Sequence, residues 1–374
     1  MRPLFARRAR IAVAVAVLGL GAAACSNPQG VGGEGEESSA EGVPSRVEMI
    51  IPYEVGGGTD TWARFLAPYL EKHIEGHPTF TATNVEGGES ITGSNQFVTS
   101  GGTDGSQVLV TSGTTYFQAL LGRDEVQFDF AKMRPLILNG TGGVIYASKS
   151  SGITSVEDLQ NPPKPLTYGG ISATGLDLSM LQAFDVLGVE LDPTFGFEGR
   201  EPALLALQRG EVNIDYQTTA AYLTDVKPLV EQGKVVPLMS FGYIKNGEVV
   251  RDPNVPDLPT VEEVYEQLNG KEPSGPAYEA YNAFLEPGYV YQKGLWANEG
   301  TPDSIVEAYY DAVEPITSDP KFRKSSEDVL GGYPMYTGEA AAEKVRESFQ
   351  IDPAVREYTV NMLEEKYNTS ADGS

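Results

Sequence analysis

The sequence predicts an α/β protein built on open, mostly parallel sheets with helices on both faces. Two observations carry this. Short apolar runs alternate with segments of helical period along the whole body of the chain. Several strand-to-helix junctions also share the same small, polar residues: VGGGTD, EGGES, SGTTY, ISATG and FEGREP.

The first junction is the clearest. Val47 to Ile51 reads as a strand, Gly56 to Gly58 as a turn, and the following residues as a helix. Thr59 or Asp60 is the expected cap, and Trp62, Phe65, Leu66, Tyr69 and Leu70 recur on one helical face. Amides at such a helix start suit an anionic or carbonyl oxygen. A glycine turn also forms for steric reasons alone, so one such turn decides nothing.

Further along, Phe80 to Val85 is a strand, and a helix opens near Thr92. Gln107 to Thr111 is a strand leading through SGTTY into a short helix to Leu121. Leu136 to Asn139 and Val144 to Ser148 are strands separated by TGG; Ser155 to Gln160 is a helical turn and Leu166 to Gly169 a strand. A helix from about Gly175 to Leu187, a strand over Thr194 to Phe197 and a helix from Pro202 to Arg209 follow. Next come a strand over Val212 to Tyr216, a helix through Val226 and a strand from Val235 to Phe241. A long helix starts at Thr301-Pro302, with threonine as cap and proline in the first turn, and two more cover Gly338 to Phe349 and Pro353 to Tyr367. In open parallel sheets ligands sit at the carboxyl ends of strands. Two such sheets facing one another would gather the five polar loops around one cleft.

The N-terminus bears on location. Arg2, Arg7, Arg8 and Arg10 precede an apolar run from Ile11 to Ala24, too short for a comfortable span. The chain's only cysteine, Cys25, follows three alanines. This looks like a bacterial lipoprotein signal over 1–24, in which Cys25 is lipidated and becomes the mature N-terminus. Ala22 departs from the usual leucine three places before the cysteine, and an ordinary secretory signal is the alternative. Residues 25–45 are Gly-, Ser- and Glu-rich and read as a flexible tether. With one cysteine, no disulfide forms within the chain.

Removing 1–24 takes away four arginines and no acidic residue, moving the net charge from −25 to −29. That argues against nucleic acid and an anionic bilayer surface as partners. About 330 residues remain after the tether, enough for two domains with their own cores. His73 and His77 are the only histidines, without metal-ligand spacing, and no serine stands in GxSxG. GGGTD lacks the lysine of a phosphate loop. No catalytic residue, metal or cofactor is therefore assigned, and Trp62 and Trp296 fit packed positions at least as well as ligand stacking.

The order of these segments resembles a known family. IIPYEVGGGTDTWARFLAPYL is similar to the opening of the substrate-binding proteins of tripartite tricarboxylate transporters, the Bug receptors. There a strand ends in a Pro–aromatic–x–x–Gly–Gly turn followed by an aspartate and a helix. NVEGGESITGSNQFV resembles the family's second glycine-rich loop, and TYGGISATGLDLSMLQAFDVLGV its strand, glycine-serine loop and helix. FEGREPALLALQRGEVNID, GKVVPLMSFG with DPNVPDLPTVEEV, and GLWANEGTPDSIVEAYYDAV continue the likeness in order, from about Val47 to Ser348.

The resemblance implies a type II periplasmic-binding-protein fold: two α/β domains joined by two crossing strands around a ligand cleft. The crossings would fall near Asn139 and Leu238, giving one domain over 46–138 plus 239–374 and another over 139–238. It also implies a receptor, not an enzyme, that captures a small organic carboxylate and delivers it to membrane permease subunits. The protein would be monomeric and membrane-held by its lipid. A sensor feeding a histidine kinase is the alternative, and a cell-envelope enzyme a remoter one.

Carried over residue by residue, Tyr53, Gly57, Gly58 and Thr59 match the first binding loop, and Asp60 the aspartate that caps its helix. Ser90 and Thr92 fall on the second loop, Ser172 and Thr174 on the facing one, and Ser112 and Thr114 at another strand end. Glu198 stands where the family often has lysine, Arg200 where glycine is common, and Asp177 where histidine is common. Arg200 either clamps a carboxylate bidentately or pairs with Glu198 or Glu201. Glu198 in the pocket would favour a ligand bearing an amino group or hydroxyls.

Overall fold

The computed structural model describes residues 42–245 and 247–371, all within the unit Ala40–Ser374. The expected signal segment 1–24, Cys25 and the tether through residue 41 lie outside the described residues. Among the described residues no helix is long and apolar enough to cross a membrane.

Strands β1 (Arg46–Ile51), β2 (Thr79–Asn84), β3 (Gln107–Ser112) and β4 (Arg134–Asn139) belong to a larger sheet. Strands β5 (Gly143–Ser148), β6 (Thr167–Gly169), β7 (Asp192–Thr194), β8 (Ile214–Thr218) and β9 (Val235–Ser240) form a smaller one. After the hairpin of β10 (Tyr243–Lys245) and β11 (Glu248–Val250), β12 (Lys293–Ala297) and β13 (Met335–Tyr336) return to the larger sheet. The orders are β13-β4-β12-β3-β1-β2 and β7-β6-β8-β5-β9.

The two sheets share one plan. In each, the first parallel strand lies between the second and third, and an antiparallel strand separates the third from the fourth. That antiparallel strand is the one arriving from the other sheet: β5 follows β4 through Gly140–Gly142, and β12 follows β9 after residues 241–292. The expectation of mostly parallel sheets therefore needs one correction. A chain that crosses between sheets must run back against its new neighbours.

Leu238, near which the second crossing is expected, lies inside β9 of the smaller sheet. Residues 241–292 then carry helices Val261–Asn269 and Pro276–Leu285. The latter packs on α4 (Leu178–Leu187) and on the C-terminal helix Pro353–Tyr367.

Alternation along β1 places Val47, Met49 and Ile51 in one apolar cluster and Ile50 in another. A central strand buried on both faces reads as a continuous apolar run, as β1 does over Met49–Ile51. Helix α1 (Gly58–His73) lays Trp62, Leu66 and Leu70 against that first cluster, each such side chain contributing roughly 1.5–3 kcal/mol on burial. Phe65 packs on Phe322 at a tilt and Tyr69 meets it edge-on, at the rim.

Two caps differ from expectation. Helix α1 starts after Gly57 with no side-chain cap, because Asp60 reaches back to the Gly56 amide. The long helix spans Asp303–Ser318, with Pro302 rather than Thr301 at the cap position. The strand expected over Thr194 to Phe197 is β7, ending at Thr194, because residues 195–199 turn away towards α5 (Arg200–Arg209).

Candidate functional site

The carboxyl ends of β1 and β3 and the amino end of β12 meet at one point. Strand β12 places Lys293 opposite Ser112 of β3 and Asn139 of β4. The Lys293 Nζ donates to Thr59 Oγ1 at 2.7 Å, in the first turn of α1. The first amides of α1, at Gly58 and Thr59, have no acceptor within the helix. Lys293 keeps partial solvent access, yet desolvation of its ammonium pushes its pKa down to about 7, with the Glu54 charge opposing the shift. No carboxylate of the described residues lies within ion-pair distance of it.

Beside it, the Ser112 hydroxyl donates to the Tyr53 hydroxyl at 2.8 Å, and Tyr53 and Thr115 share a 2.6 Å hydrogen bond. Burial raises the Tyr53 pKa, and the surrounding hydroxyls oppose the shift. Asp60 is spent on structure: its carboxylate accepts from the Gly56 amide, from Arg64 and from Asn84, which holds its pKa low against the cost of burial. A Cβ at Gly57 would stand 2.7 Å from Glu54 Oε1, the end of an exposed side chain that can swing aside.

A second convergence joins the two sheets. Glu89, on the loop before α2 (Ile91–Ser100), extends its carboxylate to the ISATG loop of the smaller sheet. Ser172 Oγ donates to Glu89 Oε1, and Thr174 Oγ1 donates to Oε2 at 2.5 Å. Gln118 of α3 (Gly113–Leu121) donates to Glu89 Oε2 and to the Thr174 carbonyl, both at 2.9 Å. Arg123 stands 3.5 Å away, and the Leu176 amide donates to Thr114 Oγ1 at 3.2 Å.

Arg200 lies behind this loop and pairs with neither Glu198 nor Glu201. Its guanidinium donates to Asp177 Oδ1 at 2.9 Å and to Asp215 Oδ1, to the Gly169 and Tyr216 carbonyls, and lies 4.4 Å from the Tyr216 ring centroid. Burial works against the charge, but Tyr168, Asp177 and Tyr216 more than offset it and hold the pKa above its ordinary value. Asp177 in turn accepts from the Ile171 and Ser172 amides and from Tyr168. The three charges fix the shape of the ISATG loop. The sequence pointed to Arg200 as a charge with a role, but its partners are aspartates that the chain order does not place beside it.

Of the expected site residues, Tyr53, Thr59, Ser112, Thr114, Ser172 and Thr174 converge on these two clusters, with Gly57 and Gly58 at the start of α1. Ser90 is buried near Tyr53 without a hydrogen bond of acceptable geometry. Thr92 is exposed and packs against Gly87, and Glu198 is exposed. Lys293 was not legible as a site residue, although a single lysine inside the apolar run 289–297 is a signal for it. Trp296 is core, donating to Thr111 Oγ1 at 2.9 Å. A cavity of about 300 Å³ lined by Arg123, Phe128 and Arg356 opens beside the far end of α3 and includes none of the expected site residues. Among the described residues no group of three or more His, Cys, Asp and Glu stands where it would hold a metal ion.

No protein-family profile and no curated protein matches the sequence. Solved structures do. The periplasmic binding protein BugD is 20% identical with a TM-score of 0.60, covering 87% of this chain and 98% of its own. MatC from Rhodopseudomonas palustris with bound malate is 21% identical, with a TM-score of 0.59 over 84% of this chain and 99% of its own. An R. palustris protein with adipate is 22% identical, with a TM-score of 0.60 over 85% of this chain and 97% of its own. The chain has the two-domain α/β fold of the periplasmic binding proteins.

Proposed function

We propose that this chain is an extracytoplasmic receptor of the tripartite tricarboxylate transporter type, capturing a small organic carboxylate between its domains. The observation that carries the reading is Lys293. A desolvated ammonium without a carboxylate partner stands beside the free amides of a helix start, where an anion would gain both interactions. The sequence resemblance and the fold shared with malate- and adipate-bound proteins support the same ligand class.

In this reading the body with the larger sheet (46–138 plus 239–374) and the body with the smaller one (139–238) close over the ligand. They hinge where β4 passes into β5 and where the chain leaves β9. The closed form is what a membrane permease recognises, with the monomeric receptor held near it by lipid on Cys25. The reading is of a binder rather than an enzyme.

A thermal-shift screen of the purified protein against mono-, di- and tricarboxylates, sugars and amines tests this. A rise in melting temperature with a carboxylate, abolished in Lys293→Met, supports it. A rise only with a sugar or an amine overturns it.

A further inference from the structure

Glu89 stands on backbone that glycine would hold more easily. Gly87, Gly88, Glu89 and Ser90 follow one another at φ +131°, +54°, +53° and +79°. Left-handed backbone is sterically costly for a residue with a Cβ, and two such residues in succession persist only where their surroundings hold them. For Glu89 the holding contacts are the hydroxyls of Ser172 and Thr174, the Gln118 amide, and Arg123 at 3.5 Å.

Those are the donors an external carboxylate would seek on that side of the cleft. The loop's Ile171 and Ser172 amides are likewise taken, by Asp177. The ISATG loop thus meets two carboxylates that belong to the protein itself. On the larger-sheet side the position is reversed: Lys293 donates to the Thr59 hydroxyl, and among the described residues no carboxylate lies within ion-pair distance of it, Glu54 acting on it from farther off.

We propose that Glu89 is a built-in carboxylate that fills the smaller-sheet half of the cleft, so that the receptor selects ligands with one carboxylate and rejects dicarboxylates. A second ligand carboxylate would have to displace Glu89 from four donors and would meet its charge on the way. This rests on the carboxylate-receptor reading and narrows its substrate class.

Titration calorimetry of the purified protein tests it, with lactate, butyrate and benzoate against malate, succinate and adipate. Wild type should bind its best monocarboxylate about tenfold or more tightly than its best dicarboxylate, and Glu89→Gly should shift that ratio about tenfold towards dicarboxylates. Glycine tolerates this backbone, so the variant should fold, and Glu89→Gln, which keeps the bulk and loses the charge, should shift the ratio in the same direction by less. A wild type that binds a dicarboxylate as tightly as any monocarboxylate, with a ratio unmoved in both variants, overturns the proposal and leaves the receptor reading standing. Binding of none of the six acids by any of the three proteins overturns the receptor reading and this proposal with it.

Discussion

Lys293 and Thr59, 234 residues apart, meet through a 2.7 Å hydrogen bond that ties the antiparallel strand of the larger sheet to the first turn of α1. An ammonium so placed is costly until an anion arrives. Lys293→Met should weaken the best carboxylate found by screening about tenfold to a hundredfold, the range expected for a charge-assisted hydrogen bond worth roughly 1.5–3 kcal/mol. Without ligand, its melting temperature should match or exceed that of wild type, because methionine fills similar space without a desolvated charge. Calorimetry and thermal melts check the two halves separately.

The same lysine makes binding depend on pH. Its folded pKa of about 7 lies below the unfolded value of about 10.4. Between these values the unfolded chain binds more protons, so this group's penalty on folding is full below pH 7 and fades as pH rises towards 10. Binding runs the other way, since the anion needs the charged form. Affinity should fall with a slope approaching about tenfold per pH unit above 7. Calorimetry in buffers of differing ionisation enthalpy should show proton uptake on binding, lost in Lys293→Met.

Arg200 gives a stability prediction. Its removal leaves Asp177 and Asp215 buried and uncompensated. Arg200→Met should cost about 3–5 kcal/mol in urea unfolding. Adding Asp177→Asn and Asp215→Asn should recover part of that loss, which a ligand-clamping arginine would not predict.

Gly142 sits where the chain passes between sheets, under a buried carboxylate. A Cβ there would lie 1.8 Å from Asp252 Oδ2 and 2.6 Å from both Thr219 Oγ1 and the Tyr333 hydroxyl. Asp252 already accepts from those two hydroxyls, at 2.6 and 2.5 Å. Gly142→Ala should therefore destabilise by about 1–3 kcal/mol, read as a lower denaturation midpoint.

The alternation of strand and helix was legible because β1 and β3 carry short apolar runs buried on both faces, while α1 buries one face whose period shows in the sequence. Helix Val261–Asn269 also carried its mark, a capping box between Thr260 and Glu263. It lies between two proline-rich stretches, Asp252 to Pro259 and Asn269 to Pro276, that read as loops. The helix Pro276–Leu285 is apolar on more than one side because two helices cover it, which blurs its period. In the site, hydroxyls at strand ends were readable from local pattern. Glu89, Lys293 and the aspartates around Arg200 were not, because each takes its role from a partner well removed along the chain. Local spacing carries no trace of such pairs.

The shared strand order has a consequence for biosynthesis. Strands β5 to β9 are contiguous over residues 143–240, whereas β3 and β4 are joined only through β12. A chain emerging from the ribosome can complete its smaller sheet while the larger one is still in two pieces. The edge of β3, with Val108, Leu109 and Val110, stays open until residue 297 is out. Until then that edge is open to mispairing with another strand.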